Sequence, residues 1–294
     1  MNFCPTEQCI THSKMKTAVL IPSHINYPDQ IDRLDTCLES LLNQTIGPDI
    51  FLSVSFSNDT YKRNFSSILR KYPTVKYTFS AEQKFQMEHL CILSKKVLEY
   101  DMILFCDDDD KYHPMRNKLF IQYFQETKKL CYKQGLQFGG VREIQNVEDL
   151  DTPPEYWAYG IPPKLLTQFF QNFEGENSDL LCNKFADMYL RNYLKRTGKD
   201  SLTFSLLAPD SNGRTLYQYT IDNPNSICSH HNTQEVNSEN ANTLIRDNIL
   251  LYLICEEDEL LHKYLHVLKI KPKQLKEVFP ESERIKGFIQ VLYK

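Results

Sequence analysis

Four consecutive carboxylates, Asp107 to Asp110, follow directly on the apolar run Met102-Ile103-Leu104-Phe105-Cys106. A short apolar run bounded by polar residues reads as a buried strand. Carboxylates this close oppose one another's ionisation unless a cation or a solvated loop relieves them. In open α/β sheets, ligands bind at the carboxyl ends of strands. Hard divalent cations such as Mg²⁺ and Mn²⁺ take carboxylate oxygens and bridge them to a substrate phosphate. The junction therefore predicts a metal–phosphate site. Acidic runs are more often solvated loops. Here the preceding strand and the following Tyr112-His113-Pro114 argue for a structured turn.

The elements before the aspartates alternate. Residues 17–22 read as a buried first strand ended by Pro22, with a polar loop over 23–28. Ile31, Leu34, Leu38, Leu41 and Leu42 fall on one helical face. A second strand is expected over 50–55, a weak helix over 61–71, a third strand over 75–79, and a helical stripe through Met87, Leu90, Cys91, Val97 and Leu98. This β-α-β-α-β-α-β order predicts a mainly parallel sheet with helices on both faces. No glycine-rich dinucleotide or P-loop motif follows any strand. Beyond the aspartates, a helix is expected over 115–131 and a strand over 136–141. An aromatic loop-rich stretch covers 150–178, and a further helix is expected over 179–196. A hairpin over 202–207 and 214–221 and a helical segment from 244 onward complete the expectation. The implied division is an N-terminal extension over 1–15, a catalytic domain over 16–232 and a helical C-terminal segment over 233–294.

Composition narrows the function classes. The chain of 294 residues is 41% hydrophobic and carries 17 Phe and 17 Tyr, enough for a sizeable core. A formal net charge of −4 offers no global basic field, so nucleic acid is not an expected partner. Nine scattered cysteines lack zinc-site spacing and read as buried free thiols in a reducing compartment. No signal-peptide core and no apolar run of about eighteen residues is present, so no transmembrane segment is expected and the protein is placed in the cytoplasm.

The residues also carry a family resemblance. The run Ala18-Val19-Leu20-Ile21-Pro22-Ser23 precedes an amphipathic helix bearing Leu38-Glu39-Ser40-Leu41-Leu42-Asn43-Gln44-Thr45. Ile103-Leu104-Phe105-Cys106-Asp107-Asp108-Asp109-Asp110 matches a DxD motif, and Phe185-Ala186-Asp187-Met188 offers an acidic side chain as a catalytic base. Over residues 16–232 the chain resembles GT-A glycosyltransferases of the family-2 type, including enzymes of large DNA viruses. A viral source would make the compartment the host cytoplasm.

The resemblance implies a nucleotide-sugar donor (usually a UDP-sugar), Mn²⁺ or Mg²⁺, and a glycan, glycoprotein or glycolipid acceptor. It puts Asp107 and Asp108 on the ribose-diphosphate, and Asp107, Asp109 and the late His230 on the metal, with His231 beside it. Four aspartates in a row leave the register of the metal ligands open. Pro22, Ser23, Ser57 and Asp59, at the ends of the first two strands, are expected near the nucleobase and ribose, and Lys84, Gln86 and His89 near the nucleotide. Asp187 is the implied base, which would invert the anomeric centre. Its bland alternative is an exposed pair with Arg191. Tyr156, Trp157 and Tyr159 either line an acceptor groove or pack the core.

Competing classes fit less well. A nucleotidyltransferase of similar architecture needs a glycine-rich loop after the first strand, and Pro22-Ser23-His24-Ile25-Asn26 has no glycine. A DxDxT phosphatase needs Thr where Lys111 stands. A non-catalytic nucleotide-sugar-binding protein of the same fold stays open.

Overall fold

The computed structural model describes residues 15–127, 132–133, 155–173, 181–182, 186–197, 216–220 and 249. Four strands, Thr17–Ile25 (β1), Asp49–Phe56 (β2), Lys76–Phe79 (β3) and Met102–Phe105 (β4), run parallel in the order β3-β2-β1-β4. Between them lie Asp29–Leu42 (α1), Asp59–Asn64 (α2), Ser66–Lys71 (α3) and Gln86–Ser94 (α4). This is the expected parallel α/β core flanked by helices. Successive strands step outward from β1 through β2 to β3. The chain then returns to place β4 on the other side of β1. That reversal makes the carboxyl ends of β1 and β4 a topological switch point, where open α/β sheets bind ligands.

Burial explains the strands. Every residue of β4 is buried, and β1 is buried along almost its whole length. Each such apolar side chain stabilises the fold by roughly 1.5–3 kcal/mol. Helix α1 turns Ile31, Leu34, Cys37, Leu38 and Leu41 into the core. Its start is held by Gln30, whose Oε1 accepts from the N–H of Asn26 at 2.6 Å and of Tyr27 at 2.9 Å. Asn58 Oδ1 caps α2 by accepting from the N–H of Thr60 and Tyr61, each at 3.0 Å.

Several expectations are corrected. Pro22 does not end β1, which runs on to Ile25. Leu20 C=O accepts from Cys106 N–H on the β4 side, whereas Ile25 C=O accepts from Ser57 N–H on the β2 side. Backbone groups alternate sides along a strand, so residue 22 points toward β4, beyond its last pairing at Leu20–Phe105. The missing N–H of proline is thus lost where no ladder bond was due. The weak helix over 61–71 is two short helices that meet at Phe65.

The stretch read as a loop over 150–178 contains regular structure. A 3₁₀ turn, Tyr156–Ala158, leads into Tyr159–Ile161 (β7) and Pro163–Gln171 (α6). β7 runs antiparallel to β4 and pairs in turn with Tyr132–Lys133 (β6), which completes a six-stranded sheet. Lys111–Tyr112 (β5) pairs with Tyr217–Gln218 (β8) as a separate ribbon. Arg116–Thr127 (α5) and Ala186–Thr197 (α7) are helical, and α7 packs on the 3₁₀ turn and on α4. The strand expected over 136–141, the hairpin arm over 202–207 and all but residue 249 of the C-terminal segment lie outside the described residues.

Gly160 in β7 sits where a side chain does not fit. A Cβ there would lie 2.6 Å from Phe120 Cδ1 and 3.0 Å from Leu104 Cδ2. Phe120 and Leu104 are fully buried, so neither has room to retreat. Gly160→Ala is expected to lower the free energy of unfolding by about 1–3 kcal/mol through overpacking. Urea denaturation measures this, and an unchanged midpoint would show that Phe120 yields freely.

Candidate active site

The chain leaves β4 in a tight turn, closed by Asp110 N–H donating to Asp107 C=O at 3.2 Å. Asp110 is the turn's anchor and is fully buried. Its Oδ2 accepts from Tyr217 Oη at 2.7 Å and its Oδ1 from Thr220 N–H at 2.7 Å. Tyr217 Oη also accepts from Asp107 N–H at 3.1 Å, and Thr220 Oγ1 donates to Asp109 C=O at 2.5 Å. One short segment, more than a hundred residues downstream, therefore holds both ends of the turn. With both oxygens engaged by protein donors, Asp110 is structural.

Asp107 and Asp108 face the switch point and are each held through one oxygen. Ser23 Oγ, at the end of β1, donates to Asp108 Oδ2 at 2.5 Å, which ties the two strand ends together. Asp107 Oδ1 accepts from Gln86 Nε2 at 2.9 Å and from the Tyr156 hydroxyl, and Gln86 Nε2 also reaches Tyr156 Oη at 3.0 Å. Burial and the surrounding carboxylates push Asp107 well above the usual range. Burial and the charge of Asp109 push Asp108 and Asp110 up to about 7 each, against hydrogen bonds from Ser23 and Tyr217 that pull them down. Near neutral pH the turn thus holds protons that ordinary carboxylates would have released.

Asp187 lies in the first turn of α7, half-buried. Tyr156 is raised far above its ordinary value, first by burial, then by Asp107, with the charge of Asp187 adding to it. Tyr156 thus donates its hydroxyl to Asp107 and feels the charge of Asp187. Arg191, one turn further along α7, bonds Glu155 at 3.0 Å.

The other expected site residues separate. Ser23 and Gln86 touch the aspartate turn. Pro22 is buried within β1. Ser57 and Asp59 are exposed just past the end of β2, with no side-chain bond to the turn among the described residues. Lys84 Nζ is engaged by Glu88 Oε1 at 3.0 Å. His89 does not line the ligand crevice. It is 1% exposed beneath β2, with Nδ1 2.8 Å from Ser53 Oγ and Nε2 3.0 Å from Ser55 Oγ. Its place on the inward stripe of α4 drives that burial. His230 and His231 lie outside the described residues. Tyr156, Trp157 and Tyr159 are buried, so the packing reading holds in place of the acceptor groove. Trp157 stacks on Tyr217 with ring centroids 4.0 Å apart.

Sequence reasoning missed Tyr156, Tyr217 and Thr220 as partners of the carboxylates. Tyr217 and Thr220 act across separations of 107 and 110 residues, beyond any local pattern. In the sequence Tyr156 reads only as an aromatic, and its spacing carries no hint of Asp107.

No curated protein matches the chain in sequence. Among solved structures, S. aureus TarS superposes with a TM-score of 0.51 at 15% identity, over 93% of this chain and 50% of TarS. TarS 1–349 in complex with UDP-GlcNAc superposes with a TM-score of 0.53 at 16% identity, over 93% and 84%. The chain thus spans half the length of the longer TarS structure, and identities this low establish the fold alone. The sequence itself matches the pattern of glycosyl transferase family 2 over residues 18–198. That match takes in the switch point, the aspartate turn and Asp187, and it covers more than half of the chain: the protein belongs to glycosyl transferase family 2 and is a glycosyltransferase.

Proposed function

We propose that the protein moves a sugar from a UDP-sugar to an acceptor hydroxyl, with Mn²⁺ or Mg²⁺ and with inversion at the anomeric carbon. The observation that carries this reading is the cluster of aspartates clamped by hydrogen bonds at the β1–β4 switch point. TarS 1–349, of the same fold, has been crystallised with UDP-GlcNAc, which supports a UDP-sugar here. The likeness to enzymes of large DNA viruses, the catalytic unit over 16–232, the glycan, glycoprotein or glycolipid acceptor and a cytoplasmic location rest on the sequence reading. Among the described residues no helix is long and apolar enough to cross a membrane.

The residues fit a hard divalent cation. Among the described residues no three His, Cys, Asp or Glu side chains converge on one point. Mg²⁺ and Mn²⁺ are suited to such a site, because one or two carboxylates plus water and substrate phosphates complete their shell. Asp109 and Asp107 would hold the ion, joined by His230. When bound, it would stabilise the charge that develops on the departing diphosphate. Asp107 and Asp108 hold the ribose-diphosphate end of the donor. Ser23 fixes Asp108, and Gln86 with Tyr156 fixes Asp107. Ser57 and Asp59 stand at the end of β2, where the nucleoside extends. Asp187 takes the proton of the acceptor hydroxyl as it attacks.

Four measurements test this. Incubation with UDP-sugars and Mn²⁺ is expected to release UDP slowly even without acceptor. Absence of both UDP release and metal-dependent UDP binding would overturn the reading. Asp109→Ala should abolish the Mn²⁺ dependence of UDP binding, and Asp187→Asn should slow transfer by about 10²–10⁴-fold with donor affinity unchanged; full activity in the latter would reassign the base. In EDTA, the melting temperature should fall as pH rises from 6.5 to 8. Carboxylates of the unfolded chain are already ionised there, while the folded Asp108 and Asp110, raised to about 7, still hold protons that the rising pH removes. His24 and His89, both lowered by burial, are neutral when folded across that window but about half protonated near pH 6.5 when unfolded, so they offset part of the decline at its lower end. Saturating Mn²⁺ should abolish the decline, and a flat profile in EDTA would count against the strained carboxylate cluster.

A further inference from the structure

Two adjacent residues, Glu155 and Tyr156, bond to two different parts of the site. The Tyr156 hydroxyl donates to Asp107 Oδ1 in the aspartate turn. Glu155 Oε1 accepts from Arg191 Nη1 at 3.0 Å, and Arg191 follows Asp187 by four residues on α7. Positions four apart are neighbours on one helix face, so whatever holds Arg191 also holds the flank that carries Asp187. Helix α7 packs directly on the 3₁₀ turn that begins at Tyr156, and the charge of Asp187 is felt by the Tyr156 phenol. The chemistry above needs Asp107 and Asp187 at a fixed separation, and the bonds that tie down the two sides meet in one dipeptide.

The dipeptide is firmly seated. Ala158 N–H donates to Glu155 C=O at 2.9 Å, which closes the 3₁₀ turn. Tyr156 is buried, with its ring edge-on to Phe105 of β4 and the centroids 5.4 Å apart. β7 follows at once and pairs with β4 at Ile103–Ile161 and Leu104–Gly160. Helix α7 is seated by different means. Its Leu190 and Leu194 are fully buried, and the Tyr193 ring lies 5.3 Å from that of Phe169 on α6. Apolar burial is non-directional, and packed helices slide past one another by small amounts. A charge-assisted bond to a guanidinium adds the missing direction. The side chains of Arg191 and Glu155 are only 15% and 32% exposed, so solvent ions screen this pair less than a surface one.

We propose that Glu155 is a positioning residue for the transfer step: through Arg191 it fixes where α7 sits along its axis, and with Tyr156 bonded to Asp107 it sets the distance from the carboxylate turn to Asp187. The inference rests on the nucleotide-sugar reading above, with Asp187 as the base. The acceptor oxygen must meet the anomeric carbon and the base at the same moment, and a misplacement of about 1 Å costs on the order of 10²-fold in rate. A dipeptide bonded to both sides removes that slack. The donor is gripped by the turn and not by α7, so loss of the Glu155–Arg191 pair slows the chemistry and leaves donor binding in place. The pair spans 36 residues, which puts it beyond any local sequence pattern.

Kinetics of UDP release from UDP-sugars with Mn²⁺, water serving as acceptor, test the proposal on the whole protein. Glu155→Ala and Arg191→Met should each lower kcat about 10- to 10²-fold, with KM and UDP affinity little changed. Glu155→Gln, which still accepts a bond, should recover part of the rate. In an Asp187→Asn background Glu155→Ala should cost little more, because it acts through the base. Wild-type kcat in Glu155→Ala, or its full loss repeated on top of Asp187→Asn, would overturn the inference. UDP affinity reports whether each variant is folded, and Glu155→Gln, nearly isosteric, serves in the same cycle if Glu155→Ala is not. Crystal structures of the wild-type protein and Glu155→Gln with UDP and Mn²⁺ need no turnover. The Asp187 carboxylate should shift by about 1 Å relative to Asp107, and an unmoved carboxylate also overturns the inference. Full activity in Asp187→Asn overturns the base assignment instead, and a wild-type protein that neither binds nor releases UDP overturns the nucleotide-sugar reading itself.

Discussion

Mutual repulsion among four carboxylates is the constraint around which the structure is arranged. Left to solvent, Asp107 to Asp110 would spread into an open loop. Two forces prevent this. The strand before them is buried along its whole length, and Tyr217 and Thr220 grip both oxygens of Asp110 from the far side. The repulsion is thereby confined within the turn, and it appears as retained protons.

The grip depends on a second layer. Tyr217 is fixed by stacking on Trp157 and by the guanidinium of Arg116, which lies 5.0 Å from its ring centre and 4.5 Å from that of Tyr112. Arg116 is fully buried and donates to Trp157 C=O at 2.8 Å. A charge placed so deep is costly unless bonded and packed, and here ring faces and a carbonyl share it. The two-residue ribbon of β5 and β8 is too short to be stable alone. Its stability comes from this aromatic and cationic packing, and through Tyr217 it reaches the aspartates.

The legible and illegible parts of this fold divide by range. The parallel core could be read because β1, β2 and β4 are apolar runs and α1 has a clean helical stripe, which are local signals. The acidic turn was legible for the same reason, since its charges adjoin the strand that carries them. The antiparallel β7 was not, because Tyr159-Gly160-Ile161 is short, and glycine weakens the strand signal while being required by Phe120. Tyr217 was invisible as a site residue because its role exists only after the ribbon forms. His89 was legible as polar and near the site. The direction of its side chain was set by the inward face of α4, which outweighed its polarity once Ser53 and Ser55 could satisfy both ring nitrogens.

Pro22 has a consequence for the charge balance of the crevice. Any other residue there would aim a backbone N–H into the gap that opens as β4 turns away. Such a donor at the edge of the crevice would add positive potential beside the turn and soak up part of its negative field. By removing it, the proline leaves the anionic potential of the turn unspent by the protein's own backbone, so that it acts outward on whatever positive charge arrives.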